Sequence, residues 1–346
     1  MTAREVSRRS VAKPPRPSPG VRPRRAATRP PPRQFLPQLA RLVETPPSED
    51  GWLHELKYDG YRIGCRIDAG VQLLSRNGND WTERFAPIAR AALTLPLETA
   101  LLDGEVAMVL PDGRTSFQAL QNASARAEGT TLAYFVFDLL ALDGDDLTEL
   151  PLLERKARLA RLLRRVPAPF RYAEHVEGDG RRALAAACKV GAEGIVSKRA
   201  DQPYRSGRGP GWLKSKCIAR QELVIVGFTE PRGSRSGLGA LLVGTYDAVG
   251  ALHFAGKVGT GFSQQSALAL RHRLDALERP TSALATPPRG AAVRDAHWVE
   301  PRLVAEVAFT EWTTDGKIRH PSFQGLREDK DPRAVRRERP GHDDRS

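Results

Sequence analysis

A lysine at position 57 has neighbours that could make it a nucleophile. It stands in the segment Glu55-Leu56-Lys57-Tyr58-Asp59-Gly60-Tyr61-Arg62, between an acid and an arginine. An amine attacks phosphorus only when it is uncharged, and burial or nearby cations lower the pKa of a lysine towards neutrality. Taken alone, the segment equally fits a strand that ends in an exposed Asp-Gly turn. The chemistry therefore depends on groups elsewhere in the chain.

Two further lysines, Lys214 and Lys216, have the spacing of a β-strand face. Side chains alternate along a strand, so both ammonium groups should project from one side, together with Trp212. Their repulsion favours an anion bound between them, and such a pair would neutralise a phosphate while lowering the pKa of a third lysine. The alternative is an edge strand that its lysines protect against aggregation.

Three more residues are candidates for the same site. Arg76, in Ser75-Arg76-Asn77-Gly78, ends a predicted strand beside a tight turn and could present a cation to phosphate, although an ordinary hairpin explains it as well. Glu105 and Glu193 stand within apolar segments, where a carboxylate needs a metal, ribose hydroxyls or a cation as a partner. We predict Glu193 as a Mg²⁺ ligand.

The patterning around these residues predicts a mixed α and β first domain. Alternating apolar runs predict strands at residues 52–56, 61–67, 71–75, 101–110 and 134–140, and helical periodicity predicts helices at 84–93, 152–166 and 181–190. In the second helix the basic residues should lie opposite the leucines. Asn-Gly and Asp-Gly turns between the runs favour antiparallel pairing.

After residue 222 the pattern becomes mostly β. Strands are predicted at residues 223–228, 240–246, 252–258 and 303–312, with one helix at about 263–277. A five-stranded barrel that carries a helix accounts for this order. The predicted domains are an arm at 1–34, an α+β domain at 35–219, the barrel at 220–333 and a charged tail at 334–346.

Positive charge is concentrated at the start of the chain. The 346 residues carry a net charge of +13, and residues 1–34 hold ten Lys or Arg, one acid and eight prolines. A segment with so few large apolar side chains cannot offset the entropy of ordering, so we predict a disordered basic arm. It either attracts phosphate weakly, docks a partner or merely keeps the protein in solution.

Cysteine content and hydropathy suggest a cytoplasmic protein. The three cysteines, Cys65, Cys188 and Cys217, lie far apart without a CxxC pair, so we expect reduced thiols and no zinc site. No apolar run is long enough to span a bilayer, and no export signal follows Arg8-Arg9.

The order of these motifs resembles the ATP-dependent DNA ligases, most closely the ligase domain of the bacterial end-joining enzyme ligase D. The resemblance covers residues 35–330 and rests on six segments: 57–62, 75–78, 103–105, 135–138, 193–198 and 214–216. It is supported by residues 117–122, 204–208, 309–312, 319–323 and 327–330. It implies a nucleotidyltransferase (adenylation) domain followed by an OB-fold.

The resemblance also assigns roles to residues. Lys57 would attack the α-phosphorus of ATP, with Mg²⁺ or alternatively Mn²⁺ as the metal. Glu55 would recognise adenine, and either Phe137 or Phe135, on the same predicted face, would stack on it. Glu105 would bind the ribose with a possible share in the metal site, and Glu193 would bind the metal. The phosphates would be bound by the cations: Arg62 and Arg76 (ribose or phosphates), Lys214 and Lys216 (α-phosphate), and Arg327 and Lys330 (pyrophosphate orientation).

The implied activity is the sealing of nicked or broken double-stranded DNA through lysyl-AMP and DNA-adenylate, in repair by non-homologous end joining. The subfamily suggests a Ku-type end-binding protein as a further partner, and we expect a monomer in the nucleoid. The chain resembles a stand-alone minimal ligase, because neither a helical DNA-binding domain nor polymerase and phosphoesterase modules are recognisable. The alternatives are an RNA ligase, a capping-type nucleotidyltransferase and a catalytically silent DNA-end scaffold.

Overall fold

The computed structural model describes residues 29–121, 129–231, 237–290, 293 and 295–338. Residues 1–28 of the predicted basic arm and residues 339–346 of the predicted charged tail lie outside the described part of the chain. Among the described helices, none is both long and apolar enough to cross a membrane.

The first domain contains a five-stranded sheet that carries most of the candidate residues. Its strands are β1 Gln38–Leu42, β2 Trp52–Leu56, β10 His175–Glu177, β11 Gly194–Arg199 and β12 Gly207–Lys216. They lie in the order β1-β12-β11-β2-β10, and every pair except β1 with β12 is antiparallel. This order brings the end of β2, just before Lys57, next to the strands that bear the predicted metal ligand and the paired lysines.

A second sheet of the first domain has seven strands in the described residues. These are β3 Tyr61–Ile67, β4 Val71–Ser75, β5 Ala100–Val109, β6 Thr115–Ser116, β7 Thr131–Leu142, β8 Asp145–Asp146 and β9 Phe170–Tyr172. The central order is β4-β3-β5-β7-β8, with β6 on β5 and β9 on β7. The helices are α1 Ala86–Ala92, α2 Phe117–Gln121, α3 Leu152–Leu163 and α4 Gly180–Lys189. The main core forms where α1 and α3 pack their apolar faces on this sheet.

Helix α3 departs from the predicted pattern. Arg155 and Lys156 are fully buried instead of lying on a solvent-exposed face opposite the leucines. Arg155 makes a two-pronged ion pair with Asp138 on β7, and Lys156 pairs with Glu55 on β2. A buried cation is tolerated when a carboxylate compensates its charge, and both partners are distant in sequence. The prediction was therefore wrong for these two residues, whereas Arg161 and Arg164 are exposed as expected.

The second domain is built on a seven-stranded sheet with one helix among the described residues. Its elements are β13 Ala219–Thr229, β14 Ala240–Tyr246, β15 Leu252–Val258, α5 Gln264–Asp275, β16 Glu278–Arg279, β17 Ala296–Val299, β18 Val304–Phe309 and β19 Ser322–Leu326. The long strand β13 pairs with β14 and with both β17 and β18. The predicted OB-fold is confirmed, with more strands than the five expected because β16 and β17 are too short to give a pattern.

The cysteine prediction was wrong for two of the three residues. Cys188 and Cys217 form a disulfide across 29 residues of sequence, with their Cα atoms 5.3 Å apart. The end of α4 and the end of β12 meet here, and a spacing rule based on CxxC pairs cannot detect such a contact. Cys65 is a free, buried thiol.

Candidate active site

The candidate residues meet in one cavity between the two domains. The cavity has a volume of about 290 Å³. Of the eleven predicted site residues, ten line it: Glu55, Lys57, Arg62, Arg76, Glu105, Phe137, Glu193, Lys214, Arg327 and Lys330. The remaining one, Lys216, does not line the cavity but lies next to it, since its ammonium group shares the Glu338 carboxylate with Lys214.

Lys57 is paired with Glu193. Lys57 Nζ donates a hydrogen bond of 2.6 Å to Glu193 Oε2, and the Glu193 side chain is 3% exposed. Burial alone would lower the pKa of Lys57, but the Glu193 carboxylate outweighs burial, and Glu306 and Glu105 add to its effect, so the pKa is raised. The expectation of an uncharged amine among cations was wrong, because the nearest charged group is an anion.

A close approach of strands places Glu193 beside the lysines. Gly194 opens β11 with φ +154°, and a Cβ at this position would lie 2.1 Å from the carbonyl oxygen of Ser215 on β12. Gly194 O accepts a hydrogen bond of 2.9 Å from the backbone N–H of Lys57. The glycine thus lets β2, β11 and β12 converge, which positions Lys57, Glu193 and Lys216 together.

Lys214 and Lys216 share one anion. Glu338 Oε1 lies 2.6 Å from Lys214 Nζ, and Glu338 Oε2 lies 3.4 Å from Lys216 Nζ. Burial lowers the pKa of Lys214 to about 8, with Lys216 contributing in the same direction against the opposing Glu338 carboxylate. Burial would raise the pKa of Glu338, but the two lysines outweigh it and hold that pKa at about 2. The predicted convergence of the two ammonium groups on an anion therefore occurs, with a carboxylate as the anion.

Glu55 is held between two lysines. Lys156 Nζ and Lys198 Nζ each donate a 2.6 Å hydrogen bond, to Oε1 and Oε2 respectively. Burial opposes ionisation of Glu55, but these two cations outweigh it and lower its pKa. In contrast, burial lowers the pKa of Lys198 to about 8, with Lys156 adding repulsion. Glu55 is therefore an ionised acceptor at the edge of the cavity.

An arginine and an aromatic ring form the wall next to Glu55. Arg62 makes two hydrogen bonds to Asp103, of 2.5 and 2.6 Å, and its guanidinium lies 4.4 Å from the centre of the Phe137 ring. Phe137 lines the cavity, whereas Phe135 stacks on Tyr58 with ring centres 3.8 Å apart and does not line it. Of the two predicted candidates, Phe137 therefore has its ring at the cavity, where Tyr58 and Trp212 also contribute rings.

Glu105 and Arg76 face the cavity, and neither has a direct partner in the part of the chain that the structure describes. Neither side chain forms an ion pair or hydrogen bond with any described residue, and both line the cavity. Burial raises the pKa of Glu105 to about 7, against the opposing charges of Lys57, Arg62 and Arg327. Burial also lowers the pKa of Arg76. Half-buried charged groups that have no partner among the described residues are suited to bind a polar ligand.

The second domain contributes charges on the opposite wall. Arg327 donates to Glu306 at 2.9 Å and to Asp329 at 2.7 and 2.8 Å, and Lys330 lies 2.6 Å from Glu222. Glu222 and Glu306 face each other across β13 and β18. Arg327 and Lys330 thus each form an ion pair with an acid of their own domain.

Sequence reasoning missed several residues of this site. Lys156, Glu222, Glu306 and Glu338 line the cavity or contact its residues, and each is separated from its partners by a long stretch of sequence. Lys198 and Asp329 belonged to recognised motifs, but no role was assigned to them. For Glu338 the only signal was an acid that stands between arginines, in Arg336-Arg337-Glu338-Arg339.

Two family models match the chain. The one described as "ATP dependent DNA ligase domain" matches residues 37–216, and the one described as "ATP dependent DNA ligase C terminal region" matches residues 234–330. The chain belongs to the ATP-dependent DNA ligase family. The two matched regions of this ligase-family chain coincide with the first domain and with most of the OB-fold, so the resemblance inferred from the motifs is confirmed.

Relatives of the ligase-family chain include proteins named LigD. It is 46% identical over 315 residues to the "Multifunctional non-homologous end joining protein LigD" of Pseudomonas aeruginosa, an alignment that covers 90% of this chain and 37% of that protein. It is 38% identical over 290 residues to a LigD of Mycobacterium tuberculosis, with 83% and 37% covered. The chain therefore spans little more than a third of the length of these curated relatives.

A solved structure supports the same fold. The structure described as "mycobacterial DNA ligase D complexed with ATP and MES" has 34% sequence identity and a TM-score of 0.64, with 87% of this chain and 98% of that chain covered. The ligase-family chain therefore has the two-domain architecture of a ligase D catalytic region.

Enzymes of this family use ATP and a divalent metal, and the carboxylates of the cavity fit such a metal. Among the described residues, no cluster of three His, Cys, Asp or Glu side chains could hold a metal alone. Mg²⁺ at nucleotide sites is commonly bound by one or two carboxylates together with phosphate oxygens. Glu193 Oε1 and both oxygens of Glu105 have no hydrogen-bond partner within the described chain. These oxygens would hold a metal jointly with bound phosphates.

Proposed function

We propose that this chain seals 5′-phosphate and 3′-hydroxyl ends in double-stranded DNA, using ATP and a covalent lysyl-AMP intermediate. The observation that carries the proposal is the position of Lys57. Its amine lies at the wall of the cavity, next to Glu193 and near Lys214, Lys216 and Arg327. A nucleophile surrounded by phosphate-binding cations suits nucleotidyl transfer.

In the first step, Lys57 Nζ attacks the α-phosphorus of ATP. A nitrogen–phosphorus bond forms, the bond from that phosphorus to the bridging oxygen breaks, and pyrophosphate leaves with the electron pair. The proton on Lys57 must depart before attack, and Glu193 Oε2 already accepts its hydrogen bond at 2.6 Å. A bound divalent metal would spread the negative charge that develops on the phosphates.

The remaining residues bind and orient the nucleotide. Glu55, an ionised acceptor, faces the adenine amino group, Phe137 stacks on the base, and Glu105 with Arg62 binds the ribose. Lys214 and Lys216 bind the α-phosphate, and Arg76 binds the phosphates or the ribose.

The second domain orients the leaving group. In-line displacement requires pyrophosphate to leave opposite the attacking amine, and Arg327 with Lys330 supplies cations on the facing wall. The domain must then withdraw so that DNA can reach the adenylylated lysine. The DNA 5′-phosphate displaces Lys57 to give DNA-adenylate, and the 3′-hydroxyl displaces AMP to seal the strand.

The cellular setting is also part of the proposal. Two relatives are named for non-homologous end joining, which supports a role in repair of broken DNA. On the same basis we propose a monomer that acts in the cytoplasm on nucleoid DNA, with a Ku-type end-binding protein as a partner. The basic arm would add non-specific attraction to the DNA backbone that weakens as salt rises.

Intact-protein mass spectrometry tests the proposed chemistry. After incubation with ATP and a divalent metal, the chain should gain one AMP on Lys57, and GTP should give no adduct. Lys57→Ala should remove the adduct, and so should Lys57→Arg, because a guanidinium stays protonated. An adduct that persists on both variants would place the nucleophile elsewhere. A nicked duplex then tests sealing.

A further inference from the structure

The described chain ends in a segment that packs against the cavity. This C-terminal strap, residues 331–338, begins with the 3-10 turn Pro332–Ala334. Val335 O accepts a 3.0 Å hydrogen bond from the backbone of Tyr246, and Gln221 bonds both to Arg336 O at 2.8 Å and to the N–H of Glu338 at 3.1 Å. Both anchoring residues belong to the OB-fold. The strap is therefore held by the second domain.

At the end of the strap, Glu338 reaches into the first domain. Its carboxylate bridges Lys214 and Lys216, at 2.6 and 3.4 Å, and its side chain is only 15% exposed. A carboxylate has the sign of a phosphate and presents two acceptor oxygens to the same donors. A phosphate bound to the same two ammonium groups would lie in contact with the Glu338 carboxylate, and the two negative charges would repel each other. A nucleotide phosphate therefore binds Lys214 most favourably when Glu338 leaves it.

We propose that Glu338 is a built-in competitor for the phosphate subsite, and that the strap holds its carboxylate on Lys214 and Lys216 until a phosphate replaces it. The contact joins a residue carried by the OB-fold to two lysines of the first domain. An arriving triphosphate takes over the lysines and releases the carboxylate. The proposal rests on the proposed function, since it assigns the phosphate subsite to Lys214 and Lys216.

Competition by the strap lowers the apparent affinity for phosphates. A subsite that is occupied nine-tenths of the time binds its ligand about tenfold more weakly than a free one. Removing the charge of Glu338 abolishes the competition and leaves both lysines in place. The variant should therefore bind phosphates more tightly, whereas loss of a residue that merely supports the site would weaken binding.

Calorimetry with inorganic tripolyphosphate tests this directly, because the probe binds without any chemistry. Glu338→Gln should bind it about tenfold more tightly than the unmodified chain does. Glu338→Asp, which keeps the charge but is one methylene shorter, should lie between the two. Gln221→Ala, which releases the strap but leaves the carboxylate, should also bind more tightly. Glu311→Gln is the control, since Glu311 pairs with Arg319 in an exposed ion pair of the same domain.

The outcomes separate this proposal from the ligase proposal. Equal or weaker tripolyphosphate binding by Glu338→Gln and Glu338→Asp would overturn the strap as a competitor, whatever the chain does with ATP. If Lys57 acquires no AMP but tripolyphosphate binds more tightly to Glu338→Gln, the ligase chemistry fails and the competition stands. If either Glu338 variant is misfolded, the other, which differs from it in charge, still decides the question.

Discussion

Glu193 forms a short ion pair with Lys57 and raises the pKa of its amine. Lys57 Nζ and Glu193 Oε2 are 2.6 Å apart, and Glu193 is almost fully buried. The nucleophile is therefore stored in its inactive protonation state, and the site must remove a proton when the nucleotide binds.

Glu193→Gln should lower the pKa of Lys57. The substitution removes the carboxylate that raises this pKa and leaves the effect of burial, which lowers it. We expect the pKa to fall by at least about 1, the effect typical of an opposite charge in contact. NMR of the labelled lysine ammonium, assigned with Lys57→Arg, measures it. Glu149→Gln, a surface acid paired with Arg205, is the control, and an unchanged titration of Lys57 would show that Glu193 does not set its charge.

Glu105→Gln should stabilise the ligand-free chain at high pH only. Burial raises the pKa of Glu105 from 4.5 to about 7. Because the folded-state value exceeds the unfolded one, the carboxylate destabilises the fold increasingly from about pH 4.5 to pH 7, and fully above pH 7. The glutamine variant should gain about 1 to 3 kcal/mol in free energy of unfolding at pH 8 relative to pH 4.5.

Urea denaturation at pH 4.5, 6 and 8 measures this gain. Glu311→Gln, which alters an exposed ion pair, should show no comparable dependence on pH. A constant difference between Glu105→Gln and the unmodified chain across this range would mean that Glu105 keeps its ordinary pKa in the folded state.

Local sequence patterns were enough to predict most of the strands and helices and the residues of the motifs. Strands β2, β3, β4, β14 and β15 begin and end where the apolar runs predict, because each is a short run bounded by a turn. What the sequence could not show was pairing over distance. Glu55 meets Lys156 and Lys198 across 101 and 143 residues, and Lys214 meets Glu338 across 124 residues. Such contacts depend on sheet order and domain docking, which periodicity does not encode.

The charge state of Lys57 illustrates the same limit. Its type and neighbours predicted a nucleophile near cations, and the cations are present. The sign of its pKa shift depends on which charge is nearest, and that is Glu193, which is 136 residues away in the sequence. Spacing along a strand therefore predicts which residues form a site more readily than it predicts the protonation states of those residues.

Gln121→Ala should open the two domains. Gln121, at the end of α2, donates to Leu326 O, accepts from Leu326 N at 2.9 Å and donates to Tyr61 at 3.0 Å. These bonds hold the strand that precedes Arg327 over the cavity. Without them we expect a larger radius of gyration in small-angle scattering and lysine adenylylation slowed about 10- to 100-fold, because the leaving-group cations are misplaced.

Two further variants sharpen the Gln121 test. Gly325→Ala should have the same effect, since a Cβ there would lie 2.1 Å from Gln121 Oε1. Gln118→Ala, which removes one bond of 3.0 Å to Gly261 at the same interface, should have a smaller effect. Sealing of pre-adenylylated DNA should be affected least, because that step does not need the closed form. Equal loss in both steps would argue against a role in closure.

Reducing the Cys188–Cys217 disulfide should destabilise the chain without stopping adenylylation. The bond closes a loop of 29 residues, for which the chain-entropy estimate is about 3 to 4 kcal/mol of unfolding free energy.

Cys217 follows Lys216, and its N–H donates to Glu193 O at 2.9 Å, so the disulfide lies beside the active residues. The pairing of Gly194 with Lys216 on β11 and β12 positions those residues independently of the sulfur atoms. Denaturation should therefore give a lower free energy of unfolding with reductant than without it. Cys188→Ser should have the free energy of unfolding of the reduced chain, and reductant should not change it. A reduced chain that forms lysyl-AMP more than tenfold more slowly would show that the disulfide also holds the site.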